Sequence, residues 1–331
     1  MQTQTNTQQI SIATCALGPA SIEEESVVGN VATGSGWLPP TFDHRDYTSK
    51  HSEIVAITNK IKLAGISRKK IGFLPAKKNL SKWFSSVRRQ DTLNSCTAFA
   101  IVGIVEYFEN KAFSKSIEAS ALFIYKCTRN LMQKTDDTGS EIRTAMKALA
   151  LFGVPGEQYW PYTETATGYN IEPTSFVYAM ASNYRAVKYF CHDPLSRKNT
   201  GTEVLYSVKI FLAAGIPAAF GVYMPPPTTE TNVKGGIPFY KQEVRWVKHA
   251  LVVVGYDDAK IIDSNSAAVQ LTKGAFLIRN CRGAGWGDKG YGWLPYEYVI
   301  SKRAIDFWSL ISADWIDTAE FGVDNITWVG L

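Results

Sequence analysis

From Thr97 to Lys111 the chain reads TAFAIVGIVEYFENK, apolar on almost every side of a 3.6-residue turn, which is the pattern of a helix buried inside a domain. Asn94 and Ser95 just ahead of it supply N-cap chemistry and place Cys96 in the first turn. Shorter helical patterns run over Ala119–Thr128 and, after the turn Asp136-Asp137-Thr138-Gly139, over Ser140–Phe152, where Gly153 and Pro155 end the helix. After Tyr162 the period changes. One helical stretch remains at Thr202–Ala214, and strand-like runs follow at Pro217–Tyr223, Val244–Tyr256, Gly274–Asn280, Tyr291–Leu294 and Phe307–Ile316. Helices first and strands second predict the α+β class.

The start of the chain differs from this body. Residues 1 to about 36 are polar and unpatterned, and read as a flexible leader. Leu38-Pro39-Pro40 to Tyr47 reads as proline-fixed extended chain, and a basic amphipathic helix is predicted over about 51–64, with Ile54, Ile57 and Ile61 on one face. The compact body is expected from Phe73 onward, so that residues 1–72 form a leader and 73–331 the main domain. Within that domain a helical lobe is expected over about 90–165 and a sheet lobe over about 166–320.

Composition narrows the function classes. With 331 residues, 45% hydrophobic and 20% charged, the chain is an ordinary globular one and neither disordered nor fibrous. Its longest apolar runs, such as Ala250–Val254, are far too short to span a bilayer, and the polar N-terminus lacks the apolar core of an export signal. No membrane association and a cytoplasmic location are expected. Between Lys50 and Gln90 eleven Lys and Arg face Glu53 alone, a charge of +10 within a chain of net +5, which leaves −5 for the remainder. Because apolar residues interleave this basic stretch, it reads as a segment docked on its own acidic body and not as a nucleic-acid arm. Five irregularly spaced cysteines, Cys15, Cys96, Cys127, Cys191 and Cys281, exclude a disulfide framework, and His44, His51 and His192 show no metal-ligand spacing. Neither a metal nor a cofactor is expected.

Four residues carry the candidate chemistry. A cysteine at a helix N-terminus has its thiolate favoured by the helix dipole, and a nearby imidazolium favours it further, so Cys96 with His249 could act as a nucleophile at neutral pH. Asn280 could fix the orientation of the His249 ring, and Gln90 with the Cys96 N–H could stabilise a developing oxyanion. Taken singly, Cys96, His249 and Asn280 have ordinary structural readings: a core cysteine, a satisfied buried histidine, a turn asparagine.

Three segments occur in an order that changes this weighing. Gln90-Asp91-Thr92-Leu93-Asn94-Ser95-Cys96-Thr97-Ala98-Phe99-Ala100, then Lys248-His249-Ala250 to Tyr256, then Ala275 to Asn280 with Cys281-Arg282-Gly283 to Gly292, resemble the nucleophile, histidine and asparagine motifs of papain-like cysteine peptidases of the bacterial, disulfide-free type. The likeness runs from about Phe73 to Ile316. It implies a two-lobe fold, with a helical left lobe, an antiparallel barrel-like right lobe and the cleft between them. It also implies a peptide or protein substrate, cleaved through an acyl-enzyme on Cys96. By the same resemblance Gly139 and Ser140 would line the cleft edge that binds substrate backbone. Trp286 is expected to pack against the asparagine loop and touch the leaving side, and the leader to be an inhibitory pro-segment or else a permanent structural wrap. The chain departs from the family at Asp91, where a glycine is usual, at Thr97, and at Cys281-Arg282, where the family has Ser-Trp. These departures keep a catalytically silent binding scaffold in view, with a peptide ligase or cyclase as a further alternative.

Overall fold

A computed structural model describes residues 27–28, 31–32, 36–55, 74–114, 116–225, 236–242, 246–263 and 266–313. Most of the expected leader with Cys15, most of the expected basic helix, the body of the Pro225–Gly236 loop and the end of the last expected strand lie outside the described residues.

The apolar run beginning at Thr97 forms helix α1, Cys96–Phe113, buried from Cys96 through Glu109. Having no polar face, it needs cover on all sides. Helices α2 (Ala121–Leu131) and α3 (Ile142–Phe152) pack on one flank and the sheet on the other. Helices α4 (Ala166–Asn170) and α5 (Ser175–Ala181) extend the helical side, and α6 (Gly201–Ala213) starts with Thr200 and Glu203 in a reciprocal capping box.

Two short antiparallel pairs stand apart: β1 (Val27–Val28) with β2 (Val31–Ala32), and β6 (Phe239–Tyr240) with β8 (Val269–Gln270). The main sheet contains β3 (Lys77–Asn79), β4 (Ala186–Cys191), β5 (Ala218–Met224), β7 (Val247–Ile262), β9 (Thr272–Arg279), β10 (Tyr291–Pro295) and β11 (Ala304–Ala313). Its order is β10-β9-β7-β5-β11-β4, with β3 on β7. The class is α+β as expected, and the barrel-like sheet is open: β10 and β4 are ends that do not pair with each other, although register shifts in the β7–β9 and β11 pairings bend it. The short helix α7 (Tyr296–Ile300) follows β10.

Strand β7 is buried continuously from His249 to Tyr256, because α1 covers one face and elements across the sheet cover the other. Its register sets His249 opposite Val222, while Val252 pairs with Arg279. The residue after Arg279 therefore emerges beside His249.

One expectation is corrected here. Ser95 occupies the N-cap of α1 but makes no side-chain cap, since its hydroxyl pairs with the Tyr162 hydroxyl (2.8 Å) and the Asn94 carboxamide donates to Asp137 O (2.8 Å). Residues 36–49 precede the expected basic run, of which residues 56–73 lie outside the described residues. Residues 36–55 supply anions: Asp43 pairs with Arg143 (2.6 Å), Asp46 lies 3.7 Å from the same guanidinium, and Glu53 pairs with Lys188. Farther on, Lys77 to Asp257 (2.9 Å) and Arg88 to Glu106 (2.6 Å) follow the expected sign.

Candidate active site

The start of α1 brings Cys96 under β7. Its Sγ is fully buried and accepts two backbone N–H groups, from Ala250 (3.4 Å) and from Gly36 (3.3 Å). His249, on β7 next to Ala250, has its Nε2 2.9 Å from Asn280 Oδ1. That oxygen also accepts the Cys281 N–H (2.8 Å), so it acts as an acceptor and Nε2 carries the proton. His249 Nδ1, the nitrogen left with a lone pair, is buried without a hydrogen-bond partner.

Gln90 is buried beside them. Its Nε2 donates to Leu93 O (2.7 Å), and its Oε1 accepts from the Cys281 thiol (2.7 Å). Cys281 Sγ is also 3.6 Å from His249 Nε2, so a cysteine that the sequence presents as structural links the imidazole to the glutamine. Tyr162, to which the sequence assigned no role in the site, also reaches it. Its hydroxyl donates to Gln90 O (2.6 Å) and pairs with Ser95, bracing both ends of the loop before α1.

Gly139 and Ser140 form the facing edge. Gly139 has φ +78°, and a Cβ there would lie 2.2 Å from Gly36 O, so only glycine lets another chain approach so closely. Ser140 N–H donates to Gly36 O (2.7 Å), Leu38 N–H donates to Ser140 O (3.0 Å), and the Ser140 hydroxyl meets Thr97. An extended segment of the chain thus lies along this edge and covers Cys96. It is anchored by Trp37, fully buried over Gly221, edge-on to Tyr223 and donating from Nε1 to Asp306 (2.9 Å). Trp286 is half-buried on the turn after Asn280, its carbonyl accepting the Gly290 N–H (2.7 Å).

Electrostatics follow from this cover. Burial pushes the Cys96 thiol up, against the lowering by the Ala250 and Gly36 amides and the Arg282 cation. Burial and then the Arg282 charge bring His249 down to about 3. The expected activated thiolate is therefore absent from this covered state: desolvation outweighs the helix dipole, and the pair rests as thiol and neutral imidazole. Among the described residues no group of His, Cys, Asp and Glu is arranged to hold a metal, and Cys96, Cys127, Cys191 and Cys281 are unpaired.

With a cysteine at a helix start, a histidine tied to an asparagine and a glutamine beside both, family relationship can be assessed. The model of the papain family of cysteine proteases matches residues 75–302. The chain belongs to that family. Over 227 residues, 66% of this chain and 67% of the other, it is 30% identical to an uncharacterised peptidase C1-like protein of Acanthamoeba polyphaga mimivirus. Its structure is similar to that of xylellain, a cysteine protease from Xylella fastidiosa, at 27% identity and a TM-score of 0.66, covering 86% of this chain and 98% of that one. Procathepsin L2 of Tenebrio molitor shares the fold at 17% identity and a TM-score of 0.59, covering 84% and 78%. This papain-family chain is a cysteine-type peptidase, a hydrolase, and its described helices include none long and apolar enough to cross a membrane.

Proposed function

We propose that Cys96, His249 and Asn280 form the catalytic triad of a peptidase that its own residues 36–55 hold latent. Once the cleft is open, water reaches the pair and the thiol proton passes to His249. The Cys96 sulfur then attacks a peptide carbonyl carbon, while the Cys96 N–H and the Gln90 carboxamide take the oxyanion. His249 gives its proton to the leaving amine as the C–N bond breaks, and water delivered through the same imidazole hydrolyses the thioester and restores the thiol. Asn280 holds the ring through Nε2, so that Nδ1 does the proton transfer.

The observation that carries this reading is what Gly36 offers to the nucleophile. Its amide N–H donates to Cys96 Sγ (3.3 Å). A chain lying in the cleft in this way occupies the place where substrate backbone would have to lie. Trp37 pairs with Ser140 in parallel sense, and farther on Thr48 pairs with Cys191, so the segment is held over some twelve residues.

Gly36→Ala tests this. A Cβ at Gly36 would lie 1.8 Å from the Asn94 carbonyl oxygen, backbone that cannot yield cheaply. The variant full chain should hydrolyse a fluorogenic peptide and label at Cys96 with iodoacetamide at least ten times faster than the parent. Equal rates would refute latency, and absence of labelling in both chains would favour a silent scaffold. Asn280→Ala in the same background should lower kcat more than it raises KM, because ring orientation matters most in the transition state.

A further inference from the structure

The strand ahead of Cys96 runs antiparallel to the chain that follows Asn280. Gln90 N–H donates to Cys281 O (2.9 Å), Gly283 N–H donates to Arg88 O (3.2 Å), and Arg89 bridges Arg282. This backbone ladder sets Arg88, Arg89 and Arg282 on neighbouring chain segments. Two of them are neutralised: Arg88 by Glu106 (2.6 Å) and Glu157 (3.1 Å), and Arg89 by Asp91 (2.8 Å). Arg282 is half-buried, and among the described residues no carboxylate lies within ion-pair distance of it. A guanidinium withdrawn from water without a counter-charge is costly, and a carboxylate offering two oxygens is its natural complement.

The position of Arg282 selects the part of a substrate that would bring this carboxylate. The Gly139–Ser140 edge holds extended backbone on one side of Cys96, as its pairing with residues 36–38 demonstrates. The leaving amine must take its proton from His249, and so lies by the imidazole. Arg282 follows directly on Asn280-Cys281, whose side chains touch that imidazole, and Gly283 (φ +75°), packed on Arg89, fixes the turn that presents it. Its charge is felt at both Cys96 and His249.

We propose that Arg282 is a specificity-determining residue that takes a substrate carboxylate on the leaving-group side of the scissile bond. This rests on the peptidase reading above. Two sources supply such a carboxylate: an acidic side chain just after the scissile bond, or the free C-terminus of a peptide from which one or two residues are released. A carboxylate paired with Arg282 would also offset the cation that opposes protonation of His249, so acidic substrates would gain in kcat as well as in KM.

The test uses the full chain carrying Gly36→Ala and matched quenched peptides with Glu, Gln or Lys immediately after the scissile bond. A second pair of peptides ends two residues after that bond in a free acid or an amide. The expected kcat/KM for Glu over Gln, or for acid over amide, is about tenfold or more, and whichever pair shows it identifies the source. In Arg282→Gln that ratio should fall to about one, in Arg282→Lys it should be partly kept, and in Arg282→Glu the Lys peptide should become the best substrate. If Gly36→Ala cleaves acidic and neutral peptides equally, the peptidase reading stands and the role of Arg282 is overturned. If it cleaves none, both fall.

Discussion

Asp91 shows how a departure from the family is absorbed at one residue. Its φ is +49°, in the left-handed region where glycine is at ease and Asp is among the few other residues tolerated. The family's customary glycine and this Asp therefore meet the same backbone demand. Asp91→Gly should leave the unfolding midpoint nearly unchanged, while Asp91→Val should cost about 1–2 kcal/mol on denaturant titration, the strain of a β-branched residue in that region. His192 gives a second test at this scale. It is buried between Phe190 and Phe211, with its two ring nitrogens on the hydroxyls of Ser207 (2.9 Å) and Ser309 (3.0 Å). Burial lowers its pKa from 6.5 to about 3. Between these values the unfolded chain takes up a proton that the folded chain refuses, so the stability due to neutral His192 is present above pH 6.5 and is lost as pH falls toward 3. His192→Gln should therefore be relatively less destabilised at pH 4.5 than at pH 7.5, as the difference between the two thermal midpoints will show.

At the scale of elements, Trp37 packs on Gly221 and Tyr223 of β5 and is tied to β11 through a buried carboxyl. Asp306 accepts from Trp37 Nε1 (2.9 Å) and Trp308 Nε1 (2.6 Å), and burial raises its pKa to about 7. A raised carboxyl contributes stability that is complete below its unfolded value of 3.8 and is lost as pH rises through about 7. Trp37→Phe keeps most of the ring volume and removes one donor to the ionised form. The variant should lose about 1–3 kcal/mol, with a larger loss at pH 8.5 than at pH 6. Helix α1 makes the complementary point. Its apolar circumference was plain in the sequence, yet the use of Ser95 was not, since a hydroxyl that could cap the helix is taken by Tyr162, 67 residues away. Strand β4 and helix α7 were likewise not foreseen, being short elements stabilised by neighbours in the sheet and not by a period of their own.

Across the whole molecule, the contacts of residues 36–55 combine apolar anchors, Trp37 and Ile54, with the ion pairs of Asp43, Asp46 and Glu53. Arg143 serves two of these carboxylates, so Arg143→Ala should loosen the cover and raise peptide turnover of the full chain severalfold. Because exposed parts of such pairs are screened at short Debye length, the gap between variant and parent should narrow between 0.05 and 1 M salt. A gap independent of salt would mean that the apolar anchors alone hold the segment.

The buried helix, the strand carrying His249, and the Cys, His and Asn motifs in family order were determined by the sequence alone, because periodicity reports burial and these motifs are local in the chain. Only the tertiary structure decided which groups meet across long separations. Gly36 reaches Cys96 over 60 residues, and Cys281 reaches Gln90 over 191. Neither pairing leaves a trace in local pattern, since each depends on the path of β7 and β9 past the start of α1. The protonation of the site was decided there too: a helix N-terminus favours a thiolate, but the cover laid over Cys96 removes the water that would sustain it, and desolvation wins.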